Sequence, residues 1–305
     1  MTIRYAAIEG GGTTWVAAIC EDRPDNIIDS IEIQTTTPIE TLTKLKDWLL
    51  SKQPFVSVGV ASFGPIDAKI NSPKYGYITS TPKPNWGWTD VIGLLGLRDE
   101  LKHVPYHFDT DVNAPAMAEF ISSNHLGISS CAYITVGTGV GVGLVINNKT
   151  VHGLVHPEAG HLQVRQKEND SFKGSCPFHG CCIEGMVSAG ACAQRKGIDP
   201  SELKTLSDDD EVWDYFAYYL AQLCVSIILM VSAEKIVIGG GVMNRQSLYP
   251  KIREYTVSIL NNYIQHDDVT KSSSPLIGPS VFGSRAGIIG AAFLAYNIHK
   301  NNNNI

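Results

Sequence analysis

Three glycine-rich turns, each placed directly after an apolar stretch, could gather backbone amides around an anion. The first is Glu9-Gly10-Gly11-Gly12-Thr13-Thr14, between the apolar segments Ile3 to Ile8 and Trp15 to Ile19. Glycine removes the Cβ that would hold a phosphate away from the backbone, and the Thr13 and Thr14 hydroxyls add donors. Glu9 would repel phosphate unless a divalent cation lay between them, so its position suggests Mg²⁺, bound directly or through water. The second turn is Gly137-Thr138-Gly139-Val140-Gly141-Val142-Gly143, and the third, Gly239-Gly240-Gly241, precedes a helix. One such turn is a weak signal. Three of them suggest one extended ligand held from several sides, and a nucleoside triphosphate is such a ligand.

The pattern G-x-x-x-x-G-K-[ST] is absent, and Gly10-x-Gly12-x-x-Trp15 lacks the last glycine of a dinucleotide fingerprint. Phosphate is therefore held in some other way than by a P-loop or a dehydrogenase turn. Phe108-Asp109-Thr110-Asp111-Val112-Asn113 joins a strand to a helix. Either aspartate could cap that helix, but phosphoryl transfer to a hydroxyl also needs a carboxylate that takes the proton. An aspartate at a strand end is placed for that work.

His161, Cys176, His179 and Cys182 offer two nitrogens and two thiolates, the number and softness of a closed tetrahedral Zn²⁺ site. Two residues separate each of the last three, so one tight loop supplies them, and Cys181 competes with Cys182 for the fourth place. With four protein ligands the metal is structural, and it would hold the segment between His161 and Glu184 in shape. The remaining cysteines, 20, 131, 192 and 224, are scattered and read as buried small apolar side chains in a reducing compartment. The histidines at 103, 107, 125, 152, 266 and 299 read as surface or packing residues, and His156 as a group supporting the site.

These residues need a scaffold, and the chain can build one. It has 305 residues, 44% hydrophobic and 18% charged, enough apolar material for a folded core. The net charge of -6 argues against nucleic acid as a partner. The start of the chain lacks a basic segment followed by an apolar run, so a cytoplasmic protein is expected. Tyr215 to Ala233 carries no charge and is long enough to be weighed as a membrane span, but its polar residues and acidic flank favour a helix covered by its neighbours.

Apolar periodicity predicts strands at 3–8, 15–19, 55–61, 104–108, 132–136, 143–146 and 236–238. Helices are expected at 38–51, 89–101, 113–126, 184–195, 211–232, 247–262 and 285–299, with a frayed polar tail at 301–304. Strands alternating with helices make this an α/β protein. We expect residues 1–115 to form an N-terminal lobe completed by a C-terminal helix at 285–300. Residues 116–284 then form a second lobe with a zinc-binding insertion at 156–184, and a cleft lies between the two.

In order along the chain, six features resemble the bacterial-type sugar kinases called ROK. They are the loop at Glu9 to Thr14, Thr110-Asp111-Val112-Asn113, the turn at 137–143, His156-Pro157-Glu158-x-Gly160-His161, the Cys-x-x-His-x-x-Cys at 176–182, and Gly239 to Gly241. Glu9, Ser62-Phe63-Gly64-Pro65, Thr81-Pro82-Lys83-Pro84 with Trp86, and the metal motif are most similar to the fructokinase branch. The resemblance implies an actin-like ATPase (ribonuclease H-like) fold, ATP and Mg²⁺ as cofactor, structural Zn²⁺, a homodimer, and transfer of phosphate to a hexose, foremost fructose. Glucose, mannose or an N-acetylhexosamine are the alternative acceptors, and a silent sugar sensor is the alternative class. It assigns Asp111 as catalytic base, and Gly64, Pro65, Asn113, Glu158, His161 and Glu184 to the sugar, with Asn113 either bonding a hydroxyl or fixing its loop. Glu9 to Thr14, Thr138, Gly139 and Gly239 to Gly241 fall to the nucleotide, and Cys182 is favoured over Cys181 for the metal. Members usually carry lysine where this chain has Thr14. A sugar-responsive repressor of the same family would need a DNA-binding segment ahead of Glu9, for which the sequence leaves no space.

Overall fold

The structure, a computed structural model, describes residues 2–303. β1 (Arg4–Gly10) and β2 (Thr14–Glu21) form a hairpin around the first glycine turn, and β3 (Ile27–Gln34) follows. Next come α1 (Pro38–Ser51), β4 (Ser57–Ser62), the short pair β5 (Ile66–Asp67) and β6 (Tyr77–Ile78), the single turn α2 (Val91–Leu94), β7 (Tyr106–Thr110) and α3 (Asn113–Ser122). β8 (Ser130–Val136) and β9 (Val140–Ile146) enclose the second glycine turn, and β10 (Lys149–Thr150) is a short strand. Beyond the cysteine-rich segment lie α4 (Ile183–Val187), α5 (Ala189–Lys196), α6 (Val212–Val231), β11 (Ile236–Gly239), α7 (Leu248–Leu260), α8 (Asp267–Thr270), β12 (Ile277–Pro279) and α9 (Ala286–Asn303).

The chain divides into two compact units. The first comprises Met1–Ile121, Lys149–His156 and Arg285–Ile305, and the second Ser122–Asn148 and Pro157–Ser284. The return of residues 149–156 to the first unit is not visible in the sequence pattern.

In the first unit the sheet order is β3-β2-β1-β4-β7. β1 runs antiparallel to β2 and parallel to β4, and β4 runs parallel to β7, so the glycine loop and the ends of β4 and β7 share one edge of the sheet. β4 is buried throughout, as expected of a strand covered on both faces. Helix α9 lies directly against it. A Cβ on Gly59 would stand 1.9 Å from the Ala291 carbonyl oxygen, and Ser57 Oγ donates to the Ala295 carbonyl at 2.7 Å. α1 starts where Pro38 follows the cap Thr37, whose hydroxyl accepts from Glu40 N at 3.3 Å, and it buries Leu42, Leu45 and Leu49.

In the second unit β9, β8, β11 and β12 lie side by side in that order. β8 and β9 are antiparallel and the other pairs parallel, so a glycine-turned hairpin again sits beside a parallel strand. α6 is long and apolar enough to cross a membrane by length and composition, but Trp213, Phe216, Leu220, Leu223, Cys224 and Ile227 are buried in this unit's core.

Four expectations change. The helix expected at 89–101 is only the turn α2, because Gly96 adopts φ +72° and the chain leaves the helical conformation there. The helix expected at 184–195 is broken at Ser188, whose extended backbone ends α4 and whose hydroxyl accepts from Ala191 N at 3.2 Å to cap α5. The edge strand β3 was missed because Asp29 and Ser30 interrupt its apolar alternation. The tail expected to fray continues α9 to Asn303, and Asn304 lies outside the described residues.

Candidate active site

The first glycine loop is closed by its own backbone and by β3. Gly11 N donates to the Thr14 carbonyl at 2.8 Å, Thr35 N donates to the Thr13 carbonyl at 2.8 Å, and Thr35 Oγ1 donates to the Gly11 carbonyl at 2.9 Å. Gly12 and Thr13 are exposed, and among the described residues their amides meet no protein acceptor. Two donors therefore face outward at the tip of a fixed turn, an arrangement that suits phosphate oxygens.

Glu9, at the end of β1, lies over the first turn of α9. Its carboxylate accepts from the Ile288 backbone, and a Cβ on Gly287 would stand 1.8 Å from Glu9 Oε1. Burial and the charge of Asp111 push its carboxyl up to about 7, while the Ile288 bond works against them. A carboxylate raised partly by a second carboxylate is one whose ionisation a divalent cation would favour, so Glu9 fits Mg²⁺ bound directly or through water. The helix terminus is a second partner that the sequence did not reveal.

Asp109 and Asp111, at the end of β7, differ sharply. Asp109 is fully buried and accepts from Thr110 N at 2.7 Å, Asn113 Nδ2 at 2.9 Å and Thr150 Oγ1 at 3.0 Å, and it pairs with His152 Nε2 at 3.1 Å. Burial acts to raise its carboxyl, but His152, His107 and Asn113 outweigh it and hold Asp109 below the usual carboxylate range. Asp111 is tied through its backbone, its N–H donating to the Ser62 carbonyl at 3.0 Å, while desolvation raises its carboxyl to about 6. Asp109 is spent on structure, whereas Asp111 is poised to take up a proton. His107 and His152, read from sequence as surface or packing residues, also border Asp109 and help to hold it ionised.

Asn113 is fully buried with its amide on Asp109, the arrangement of a residue that fixes its loop. Gly64 and Pro65 follow β4 through a cis peptide bond. A Cβ on Gly64 would stand 3.1 Å from His156 Nε2, which accepts from Ile66 N at 3.2 Å. The buried His156 thus shapes the Gly64-Pro65 turn from beneath.

In the second unit a cavity of about 640 Å³ opens between the second and third glycine turns. Gly137 and Thr138 line it from one side and Gly241 and Val242 from another, with Ala189, Leu203, Trp213 and Arg245 completing the wall. Of the third run only Gly241 reaches it among the described residues. Gly240, at φ +94°, would carry a Cβ 2.3 Å from the Val136 carbonyl oxygen, and one on Gly239 would meet Tyr133 Oη at 2.5 Å, so both serve close packing. Gly139 is also absent from the lining, since Glu184 Oε2 would stand 2.7 Å from its Cβ and accepts from Val140 N at 3.0 Å. Leu203, Trp213 and Arg245 come from segments that sequence motifs did not connect to the turns.

Glu158 is exposed, and its carbonyl accepts from His161 N at 3.0 Å, closing the short turn that carries both residues. Gly160 lets this turn press on β9, where a Cβ would stand 1.9 Å from the Val140 carbonyl oxygen. Glu184 binds the amide of the same Val140, so the segments bearing Glu158, His161 and Glu184 meet on one residue of the second turn.

His161, Cys176, His179 and Cys182 point their ligand atoms to one place, all within 4.8 Å of one another. The His161 Nδ1 contacts are 3.8 Å to Cys176 Sγ and 3.6 Å to Cys182 Sγ, and Cys176 Sγ lies 3.7 Å from His179 Nδ1. A zinc tetrahedron with metal–sulfur bonds of about 2.3 Å and metal–nitrogen bonds of about 2.0–2.1 Å has sulfur–nitrogen edges of about 3.6 Å, so the set fits Zn²⁺. Cys181 turns away, with Sγ 3.8 Å from Gln163 Oε1. Burial pushes the Cys182 thiol up to about 11, and a central cation would be needed to hold it as thiolate.

The sequence matches the ROK family over residues 5–298. The chain belongs to the ROK family. It is 39% identical over 298 residues to a fructokinase of Zymomonas mobilis, covering 95% of this chain and 96% of that one. It is 37% identical over 295 residues to a fructokinase of Pediococcus pentosaceus, covering 97% and 98% of the two chains. The crystal structure of a ROK hexokinase from Thermus thermophilus superposes with a TM-score of 0.74 at 21% identity, covering 99% of this chain and all of that one. This ROK protein therefore has the mixed-sheet, actin-like ATPase fold of the family's sugar kinases.

Proposed function

We propose that this ROK protein is a fructokinase, which transfers the terminal phosphoryl group of ATP to the 6-hydroxyl of fructose. The observation that carries the reading is its 37–39% identity to fructokinases along nearly their whole length. The chemistry follows from one turn. Asp111 accepts the proton of the attacking hydroxyl, whose oxygen bonds to the terminal phosphorus as the bond to the leaving oxygen of ADP breaks. ADP and fructose 6-phosphate leave, and Asp111 returns its proton to solvent.

Asp109 and Asn113 hold the turn that aims Asp111. The amides of Gly12 and Thr13 receive phosphate oxygens, and Glu9 would hold Mg²⁺ directly or through water. Mg²⁺, when bound, neutralises charge on the phosphates. The cavity behind Thr138 and Gly241 suits a nucleoside, whose ring would rest on apolar wall from Leu203 and Val242. Gly64, Pro65, Glu158, His161 and Glu184 are assigned to the sugar, and Zn²⁺ on His161, Cys176, His179 and Cys182 fixes the segment that bears three of them. Reduced thiolates in that set fit a cytoplasmic location, and the homodimer is part of the same proposal.

An ADP-release assay across a panel of hexoses tests the reading. Turnover is expected with fructose, and activity confined to glucose, mannose or an N-acetylhexosamine would move the substrate while leaving the reaction in place.

A further inference from the structure

We propose that Lys83 is the cation of the first glycine loop and binds the terminal phosphate oxygens of the nucleotide. The proposal rests on the ATP-dependent kinase reading above. Between Ile8 and Thr14 the sequence has no Lys or Arg, yet the structure brings an ammonium to this loop from 71 residues away. Lys83 Nζ donates to the Gly12 carbonyl, the peptide oxygen at the exposed tip of the turn. An ammonium has three protons, so two remain for a ligand after one is given to Gly12. The same tip presents the unengaged amides of Gly12 and Thr13, and a Cβ on Gly12 would meet nothing within 4 Å. A cation, two amides and open space therefore coincide.

The lysine is seated by the core. Trp86 is fully buried, its ring stacked on Trp15 with centroids 5.4 Å apart and planes 15° from parallel, and Phe63 packs edge-on at 5.3 Å. Its indole N–H donates to the Thr36 carbonyl at 2.9 Å, and its backbone N–H donates to the Lys83 carbonyl at 3.2 Å. Trp15 is the second residue of β2, so the segment holding Lys83 is stacked on the strand that leaves the glycine loop. Pro82 and Pro84 restrict φ on either side of the lysine.

Electrostatics supplies the reason. Glu9 borders this loop and feels the charge of Asp111, and a terminal phosphate adds further negative charge. Two amide dipoles offer only partial charges, whereas the two remaining ammonium protons bring a full charge to phosphate oxygens. Stabilisation of charge on the moving phosphoryl group is worth about 100-fold in rate for a single donor.

The test compares Lys83→Gln, Lys83→Met and Lys83→Arg with the wild type, each first shown to melt as a folded protein. With fructose and ATP, the neutral variants should lose about 100-fold in kcat/KM for ATP, Lys83→Arg should lose much less, and KM for fructose should stay within about twofold. Calorimetry with Mg²⁺ and a non-hydrolysable ATP analogue should show at least about tenfold weaker binding to the neutral variants, and AMP binding should not change. Unchanged analogue affinity and ATP kinetics in a folded Lys83→Gln protein would make the lysine a strut of the loop and overturn the proposal. So would a loss confined to KM for fructose. If the wild type phosphorylates no hexose, the kinase reading fails, while the analogue titration still decides the role of Lys83.

Discussion

Asp109 and Asp111 stand two residues apart in one turn, and their carboxylates have opposite surroundings. Asp109 is held by Thr110, Asn113, Thr150 and His152, whereas Asp111 is half-buried and tied through its backbone N–H. The main chain that follows Asp109 is pinned by the bond from Asp111 N to the Ser62 carbonyl.

The first prediction concerns Asp111. It accepts a proton only when ionised, so kcat/KM should fall as pH drops below about 6. A carboxyl raised above its ordinary value means the folded state holds the proton more tightly than the unfolded chain. Ionisation above pH 6 therefore costs stability. Asp111→Asn should lose at least about 100-fold in turnover, yet melt a few degrees higher at pH 8. A variant that keeps wild-type turnover would remove Asp111 from the reaction.

The pair of Asp109 and His152 makes a second, opposite case. Asp109 is depressed, so its contribution is present above 3.8 and is lost as pH falls through the folded value. His152 is raised, chiefly by its bond to Asp109, so its contribution is complete below 6.5 and is lost as pH rises through the folded value. Thermal scans should show the largest deficit of His152→Gln between these limits and a smaller one at pH 9. Asp109→Asn should lower stability more than turnover, with kcat reduced less than about tenfold. A deficit that does not vary with pH would show that His152 is not charged in the folded protein.

For the metal, protein purified without added metal should contain one Zn²⁺ per chain by elemental analysis. Cys176→Ser and Cys182→Ser should lose it and melt earlier, and Cys181→Ser should keep it. Zinc retained in Cys182→Ser but lost from Cys181→Ser would reverse the ligand assignment.

Gly12→Ala isolates the phosphate contact from folding. The position is exposed, outside the left-handed region, and open on its Cβ side, so the melting temperature should stay within a degree or two. The added methyl group should still obstruct a phosphate approaching the loop and raise KM for ATP about tenfold. Unaltered ATP kinetics would place the nucleotide elsewhere.

Where residues lie close in sequence, their grouping was readable: the glycine turns sit at strand ends as expected, and the ligand atoms of Cys176, His179 and Cys182 converge with that of His161. Helix α1 was readable as well, because Pro38 and the apolar face of Leu42, Leu45 and Leu49 mark it unambiguously. Contacts between distant segments were not. His152 reaches Asp109 across 43 residues and Lys83 reaches Gly12 across 71, and nothing in periodicity joins them. Gly239 and Gly240 illustrate the reverse error: glycine in a loop signals close approach, and here the approaching group is the protein's own backbone and Tyr133.

The packing of α9 against β4 has a consequence for biosynthesis. This helix spans residues 286–303, yet its backbone fills the space above Gly59 and its first turn receives the Glu9 carboxylate. As the chain leaves the ribosome, the opening strands must therefore wait with one face of their sheet uncovered while the second unit is made and folds. Only when α9 emerges does the first unit close and Glu9 gain its helix, so the first glycine loop cannot be finished before residues 286–303 have been made.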